Sequence, residues 1–182
     1  DEETGRFWSP APLPARGKTP YLTRHGFGYS VYEHLEDGIH TEMWVYVDAE
    51  RPIKYSSIRI QNRSGRARQL SVTGYVEWVL GDLPHKTKMH ITTEVDLNSD
   101  AILATNSYST EFRRLIGFFD VNDPGRTITT DREEFFGRNG TAKNPEALRK
   151  SKLSGKTGAA LDPCGVIQVC LGLEDGEKNE IV

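Results

Sequence analysis

The chain has 182 residues, with 23 Lys and Arg against 26 Asp and Glu and a net charge of −3. This length suffices for one sizeable domain that buries roughly 70% of its unfolded surface. The acidic balance argues against nonspecific nucleic-acid binding, which needs a basic surface to release counterions from phosphates. No apolar stretch approaches the length that crosses a bilayer, and no secretory leader opens the chain, so the segment is expected to be soluble.

The first 22 residues predict an extended arm. Four of the nine prolines lie within the first 20 positions, and three of them closely follow Trp8. Because proline removes backbone donors and is excluded from inner strands, this arm is expected to lie along a surface. Trp44 and Trp78, farther along the chain, are expected to be core residues, whereas Trp8 suits packing and ligand contact equally well.

From Gly28 onward the pattern predicts β-strands separated by short turns. In the longest run, apolar side chains from Leu70 to Leu80 share one face and polar side chains share the other. Turn sequences such as Glu36-Asp37-Gly38 and Asp123-Pro124-Gly125 recur at short spacing. This organisation predicts an all-β fold, an antiparallel β-sandwich. The predicted strands cover about residues 28–36, 39–48, 53–62, 70–80, 88–97, 101–107, 114–120 and 164–173.

Only one or two short helices are expected, both in loops. The first is predicted over Asp131 to Phe136, with Thr130 as its N-cap and Gly137 at its end; Glu133 would complete a capping box. The second is predicted over residues 145–150, where a proline suits the first helical turn. The segment 143–158, rich in Lys, Ser and Gly, is predicted to be a mobile loop.

Residues 130–140 form the candidate binding segment. They carry two guanidinium groups, three carboxylates and one amide around Phe135-Phe136, a pair that the pattern leaves exposed. Dense hydrogen-bonding groups on a loop held by a rigid scaffold are typical of binding sites. The candidate contacts to sugar hydroxyl groups are Arg132, Glu134, Arg138 and Asn139. A short capped helix without any ligand is the alternative interpretation.

The sequence offers no catalytic, cofactor or metal site of its own. Glu133 and Glu134 are adjacent and point in different directions, whereas catalysis by paired carboxylates needs acids about 5–10 Å apart across a cleft. The five histidines lack the compact spacing of a zinc site. Cys164 and Cys170 are expected to be small buried hydrophobes without a disulfide, because two positions on one strand lie too far apart to bridge comfortably.

Five blocks, in order, resemble the β-supersandwich domain of family 94 glycoside phosphorylases, also called the glycosyltransferase 36 type. The resemblance is strongest to the phosphorylase-like region of bacterial cyclic β-1,2-glucan synthases. It runs over nearly the whole chain. Agreement in five separate blocks argues against chance, whereas any single block would be weak evidence. The blocks are Phe7-Trp8-Ser9-Pro10, Arg24-His25-Gly26-Phe27-Gly28-Tyr29, Val76-Glu77-Trp78, Thr130-Asp131-Arg132-Glu133-Glu134-Phe135 and Gly158-Ala159-Ala160-Leu161-Asp162-Pro163-Cys164.

This resemblance implies a galactose-mutarotase-like supersandwich over residues 1–182, truncated at both ends, in a longer parent. It also implies that the catalytic acid and the phosphate site belong to a following helical barrel, so this segment is catalytically silent. The expected partners are a β-glucan oligosaccharide, the downstream barrel of the same chain and a second copy in a homodimer. The resemblance further implies a parent in the bacterial inner membrane, with this region facing the cytoplasm.

Three functional hypotheses follow. The first is an accessory, non-catalytic domain that shapes the sugar entrance of the barrel. The second is a purely structural and dimerisation module without sugar contact, suggested by the proline-rich arm and open sheet edges. The third is a sugar-epimerase-type enzyme, for which His25 and Glu77 are conceivable acid and base residues.

Overall fold

The computed structural model describes residues 1–182 and confirms the predicted fold class, an all-β antiparallel β-sandwich with two short helices. The strands are β1 (Tyr21–Gly26), β2 (Tyr29–Glu36), β3 (Ile39–Val47), β4 (Lys54–Asn62), β5 (Arg68–Glu77), β6 (Ile91–Val95), β7 (Ile102–Asn106), β8 (Ile116–Phe119), β9 (Thr127–Asp131), β10 (Pro163–Leu173) and β11 (Lys178–Ile181). The helices are α1 (Pro84–Thr87) and α2 (Arg132–Phe136), and 3₁₀ turns occupy Lys88–His90 and Glu146–Arg149. None of these helices is long and apolar enough to cross a membrane.

The chain divides into two compact units. The first unit comprises residues 1–71 and 170–182, and the second comprises residues 72–169. Strands β5 and β10 each continue along the chain from one unit into the other. The assignment of residues 1–182 to a single domain stays a prediction.

The first unit is built on a five-stranded antiparallel sheet in the order β1-β2-β3-β4-β11. His34, Thr41 and Ile60 are directly paired across β2, β3 and β4, and all three are buried. One position away in each strand, the row that contains Glu33 and Glu42 faces the opposite side and ends in ion pairs with exposed arginines. The period-2 alternation of the sequence is thus expressed as one buried and one polar face.

The proline-rich arm is fastened to the end of β2 by a buried carboxylate. Glu36 is 1% exposed and accepts hydrogen bonds from the backbone N–H groups of Lys18 (2.8 Å) and Thr19 (3.2 Å). The guanidinium of Arg6 lies 2.8 Å from Glu36 and also binds Asp37. The proline-rich arm belongs to no sheet, so its backbone amides lack strand partners. One side chain, that of Glu36, accepts the hydrogen bonds of two of them.

Burial alone would raise the pKa of Glu36, but the hydrogen bonds from Thr19, Lys18 and Arg6 outweigh it and lower the pKa. The imidazole of His34 stacks on Tyr21, with ring centroids 3.7 Å apart, and lies 3.3 Å from the same carboxylate. The ionised carboxylate is therefore the form that the folded arm selects.

The second unit contains the three-stranded sheet β6-β7-β8 and the paired strands β9 and β10. Ile102 and Ala104 on β7 are fully buried, as the alternating pattern predicts. Thr129 on β9 pairs with Val166 on β10, and the pairing contains a register shift between Pro163 and Val166. Strand β9 was missing from the predicted elements because its Thr-Ile-Thr-Thr sequence has no apolar alternation.

Three further local predictions differ from the structure. Strand β5 ends at Glu77, not at residue 80, because the backbone turns at Leu80, where φ is 39°. The predicted strand at 88–97 is shorter, since its first three residues form a 3₁₀ turn. Cys164 is fully buried as expected, whereas Cys170 is exposed; both thiols are free.

The substitution Glu36→Gln is expected to destabilise the protein by about 2–4 kcal/mol at pH 7, because charge-assisted hydrogen bonds to a buried group are lost. The folded pKa of Glu36 lies below its ordinary value of 4.5, so the stabilisation is present above that pH and is lost as pH falls below it. Urea unfolding at several pH values between 3 and 7 measures both effects. A variant whose stability falls with acid as steeply as that of the wild type contradicts the assignment.

Candidate functional site: the α2 loop

The α2 loop comprises the candidate binding segment, residues 130–140, and helix α2 within it has a defined cap at each end. The side chain of Asp131 accepts a hydrogen bond from the backbone N–H of Glu133 (3.1 Å), and the N–H of Gly137 donates to the carbonyl of Glu133 (2.9 Å). Gly137 has a φ of 80°, a conformation that favours glycine. The predicted end at Gly137 is confirmed. The predicted N-cap at Thr130 is wrong, because Thr130 is a fully buried residue of β9 whose hydroxyl lies 2.6 Å from that of Thr93.

Phe135 and Phe136 are buried, contrary to the exposure that the sequence pattern indicates. Each is 5% exposed, and both contact Tyr75, with ring centroids 4.9 Å and 5.0 Å from the tyrosine ring. Their remaining neighbours in this core cluster are Ala147, Leu153, Cys164 and Val166. The single turn of α2 directs both of these consecutive side chains into the same hydrophobic cluster. The pair therefore anchors α2, and neither ring is available to a ligand.

Arg132 joins three of the family-like sequence blocks. Its Nε lies 3.2 Å from Oε1 of Glu77, and its Nη1 lies 3.7 Å from Oδ2 of Asp162. The guanidinium carbon lies 4.7 Å from the centre of the Phe136 ring, a cation–π contact. The backbone N–H of Arg132 also donates to the carbonyl of Asp162 (2.8 Å). Blocks that are far apart in the sequence therefore meet at one half-exposed polar cluster.

The contacts around Arg132 keep Glu77 ionised and Tyr75 neutral. The hydroxyl of Tyr75 donates to Glu77 (2.6 Å), and this hydrogen bond, with the guanidinium of Arg132, lowers the pKa of Glu77. Burial and the neighbouring carboxylate raise the pKa of Tyr75. A carboxyl group with a lowered pKa is ionised near neutral pH and has no proton to donate. Glu77 is therefore unsuited to act as a general acid here.

Glu134 is saturated by internal donors. Its carboxylate accepts hydrogen bonds from the hydroxyls of Thr129 (2.6 Å) and Ser154 (2.5 Å) and from the backbone N–H of Ser154 (2.9 Å). Burial would raise the pKa of Glu134, but these hydrogen bonds lower it. Lys156 forms an ion pair with Asp131 on the same side, and this contact raises the pKa of the ammonium. The chain after residue 153 is thus fastened to the start of α2.

Segment 143–158 is the one that the sequence predicts to be a mobile loop. The second half of this segment runs along β9. The backbone N–H of Thr130 donates to the carbonyl of Lys156 (2.8 Å), and that of Gly155 donates to the carbonyl of Ile128 (2.8 Å). Leu153 is 6% exposed. These contacts form part of the surroundings of α2.

Arg138 and Asn139 lie in the turn that follows Gly137, and both are exposed. Neither side chain has a hydrogen-bond or ion-pair partner within the protein, in contrast to Arg132 and Glu134. The four predicted contact residues therefore fall into two pairs. Arg132 and Glu134 are engaged internally, and Arg138 and Asn139 present unengaged donors and one acceptor to solvent.

Sequence reasoning did not name Tyr75, Asp162 and Lys156 as site residues. Lys156 pairs with Asp131, Asp162 with Arg132 and Tyr75 with Phe135, at separations of 25, 30 and 60 positions, and no local pattern reports such contacts. Two of the sequence blocks did contain a signal, since Glu77 and Asp162 each lie within one. The cluster could have been predicted from one feature: several of the blocks place their side chains on strands and loops of the same sheet.

Other chemistry of the two units is limited to local contacts. His25 bonds Ser30 through Nδ1 (2.8 Å) in the first unit, and Glu77 is engaged as described in the second. Burial and nearby carboxylates raise the pKa of the Cys164 thiol to about 12, which disfavours the reactive thiolate. No group of three or more His, Cys, Asp or Glu side chains is arranged to share a metal ion.

The fold and the site together define the class of protein, an all-β sandwich that carries a capped polar loop. The family described as "Glycosyl hydrolase 94, supersandwich domain" matches residues 1–182, and the chain belongs to this family. It is 32% identical to the cyclic beta-(1,2)-glucan synthase NdvB of Rhizobium meliloti over 183 residues, which cover 100% of this chain and 6% of that protein. It is also 28% identical to the solabiose phosphorylase of Paenibacillus borealis, over 98% of this chain and 24% of that enzyme.

A third relative is the N,N'-diacetylchitobiose phosphorylase of Vibrio furnissii, which is 25% identical over 98% of this chain and 23% of the enzyme. The chain thus spans about a quarter or less of the length of each of these relatives. The predicted family is confirmed by these matches.

The substitution Phe136→Ala is expected to cost about 3–5 kcal/mol, because it leaves a cavity beside Tyr75 and Phe135. The matched control is Phe118→Ala on β8, where the side chain is 49% exposed, and its expected cost is about 1 kcal/mol or less. Urea unfolding of the two variants and the wild type provides the comparison. Equal losses for the two variants would show that α2 is not anchored by this ring.

Proposed function

We propose that the chain is a non-catalytic, carbohydrate-associated domain of a larger β-glucan synthase or phosphorylase. In this proposal it packs on a separate helical catalytic barrel of the same parent and shapes the sugar entrance of that barrel. The observation that supports it is the convergence of three family-like blocks at Glu77, Arg132 and Asp162, immediately before the exposed turn at Arg138 and Asn139. The bond-breaking acid then belongs to the part of the parent outside this chain.

The division within the α2 loop assigns a role to each predicted contact residue. Arg132 and Glu134 position the loop, because their charges are already neutralised or hydrogen-bonded inside the protein. Arg138 and Asn139 contact the ligand, since their donors and acceptor match sugar hydroxyl groups and are unengaged. The ligand is a β-linked glucan oligosaccharide, the product class named for the NdvB relative. The parent is proposed to be a bacterial inner-membrane protein with this region in the cytoplasm.

The direct-contact role is tested by titrating the 182-residue chain with β-1,2-glucooligosaccharides while following its amide and side-chain NMR resonances. Resonances of Arg138 and Asn139 are expected to shift with a millimolar dissociation constant. The double substitution Arg138→Ala, Asn139→Ala is expected to weaken binding by about five- to tenfold, since two hydrogen bonds of about 1 kcal/mol or less are lost. Arg113→Ala, which removes the same charge from an exposed turn, should leave binding unchanged. Unmoved loop resonances at saturating oligosaccharide would refute direct contact.

The second candidate is a structural or dimerisation module without sugar contact. The internally saturated Arg132 and Glu134 favour it, because such residues hold a loop whether or not a ligand arrives. Sedimentation of the intact parent with and without Arg132→Ala, Arg138→Ala separates the two functions. Loss of the dimer with unchanged glucan trimming per active site would favour the structural module, and reduced trimming with an intact dimer would favour the entrance loop.

A further inference from the structure

The first unit contains a cleft where the N-terminal arm meets the end of β2. Its volume is about 340 Å³, at the lower end of the range for small-molecule sites. It is large enough for one substituted ring and too small for a dinucleotide. The residues that line it are Gly5, Arg6, Phe7, Trp8, Arg16, Gly17, Lys18 and Glu36.

One side of the cleft is preorganised by internal contacts. Glu36 is fully buried and accepts the backbone N–H groups of Lys18 and Thr19, and Arg6 bridges Glu36 and Asp37. Tyr21 adds a hydrogen bond to the carbonyl of Ser9 (2.9 Å) and accepts one from the N–H of Gly17 (2.8 Å). The backbone around the cleft is therefore fixed before any ligand arrives, which lowers the cost of ordering it on binding.

The lining of the cleft also carries unbalanced positive charge. Arg16 and the ammonium of Lys18 are exposed and have no carboxylate partner, whereas the charge of Arg6 is met by Glu36 and Asp37. The lining residues carry two more positive than negative charges on a chain whose net charge is −3. This local excess of cations attracts an anionic group, and guanidinium and ammonium groups both suit a phosphate.

Two aromatic rings complete the lining. Phe7 and Trp8 are half-buried, so part of each ring is accessible from the cleft. An aromatic face stacks well on the apolar face of a ring that carries hydroxyl groups at its edge. The polar remainder of the lining favours such a hydroxylated ring over a wholly apolar one.

We propose that this cleft binds a small sugar phosphate, with the phosphate between Arg16 and Lys18 and the sugar ring against Trp8. The site is separate from the α2 loop and does not depend on the function proposed for that loop. It makes the arm a ligand-binding element as well as a structural one.

The test is NMR titration of the 182-residue chain with glucose 1-phosphate, glucose 6-phosphate, glucose and inorganic phosphate, each up to about 10 mM. At least one sugar phosphate is expected to shift the indole N–H of Trp8 and the backbone amides of Gly17 and Lys18. Its dissociation constant should be about tenfold lower than those of glucose and inorganic phosphate, because ring and phosphate contacts add. Equal binding of inorganic phosphate would overturn the sugar assignment, and no shift with either sugar phosphate would overturn the site.

Variants locate the binding. Arg16→Ala, Lys18→Ala is expected to weaken sugar phosphate binding by about tenfold or more. The matched control is Arg51→Ala, Lys54→Ala, which removes two exposed cations elsewhere in the first unit and should not affect binding. Urea unfolding of both double variants checks that each is folded. Equal weakening in the two variants would show that general charge, and not this cleft, attracts the ligand.

Discussion

The burial of Phe135 and Phe136 against Tyr75 is the constraint on which the α2 loop depends. A helix of five residues does not form by itself, because nucleation costs more than so few hydrogen bonds return. Its stability must come from the apolar surface that it removes from water, and two phenyl rings supply most of that surface. Once the rings are buried, the polar residues on either side of them have fixed positions, and a charged loop becomes a rigid one.

The polar residues of the loop then divide according to what they contact. Glu134 accepts three hydrogen bonds from within the protein, and Arg132 is shared between two carboxylates and a ring. A ligand would have to replace these contacts to gain its own, with little net benefit. Arg138 and Asn139 lie beyond Gly137, are exposed and have no side-chain partner within the protein, so hydrogen bonds with a ligand would displace nothing internal. Composition alone made these four residues look equivalent.

Glu36 has the same role for the N-terminal arm that the phenylalanine pair has for α2. A proline-rich segment lacks the regular donors of a strand, so the few amides that it buries need an acceptor from elsewhere. The carboxylate of Glu36 accepts two of them and pairs with Arg6. In both places an irregular segment is ordered by one buried anchor and leaves cations at the surface. The α2 loop and the arm cleft therefore share the same arrangement, each within its own unit.

The sequence by itself determined the fold class, most strand positions, helix α2, the helical turn near residues 145–150 and the family. These follow from local information: alternation, turn residues and contiguous motif blocks, each of which is written within about ten neighbouring positions. Strand β9, the N-cap at Asp131 and the burial of Phe135-Phe136 were decided only by tertiary structure. Thr130 and the two phenylalanines look like surface residues until Thr93, Tyr75 and the chain near Leu153 cover them. Those partners lie far away in sequence, and burial depends on which distant surfaces arrive, a property that no local pattern contains.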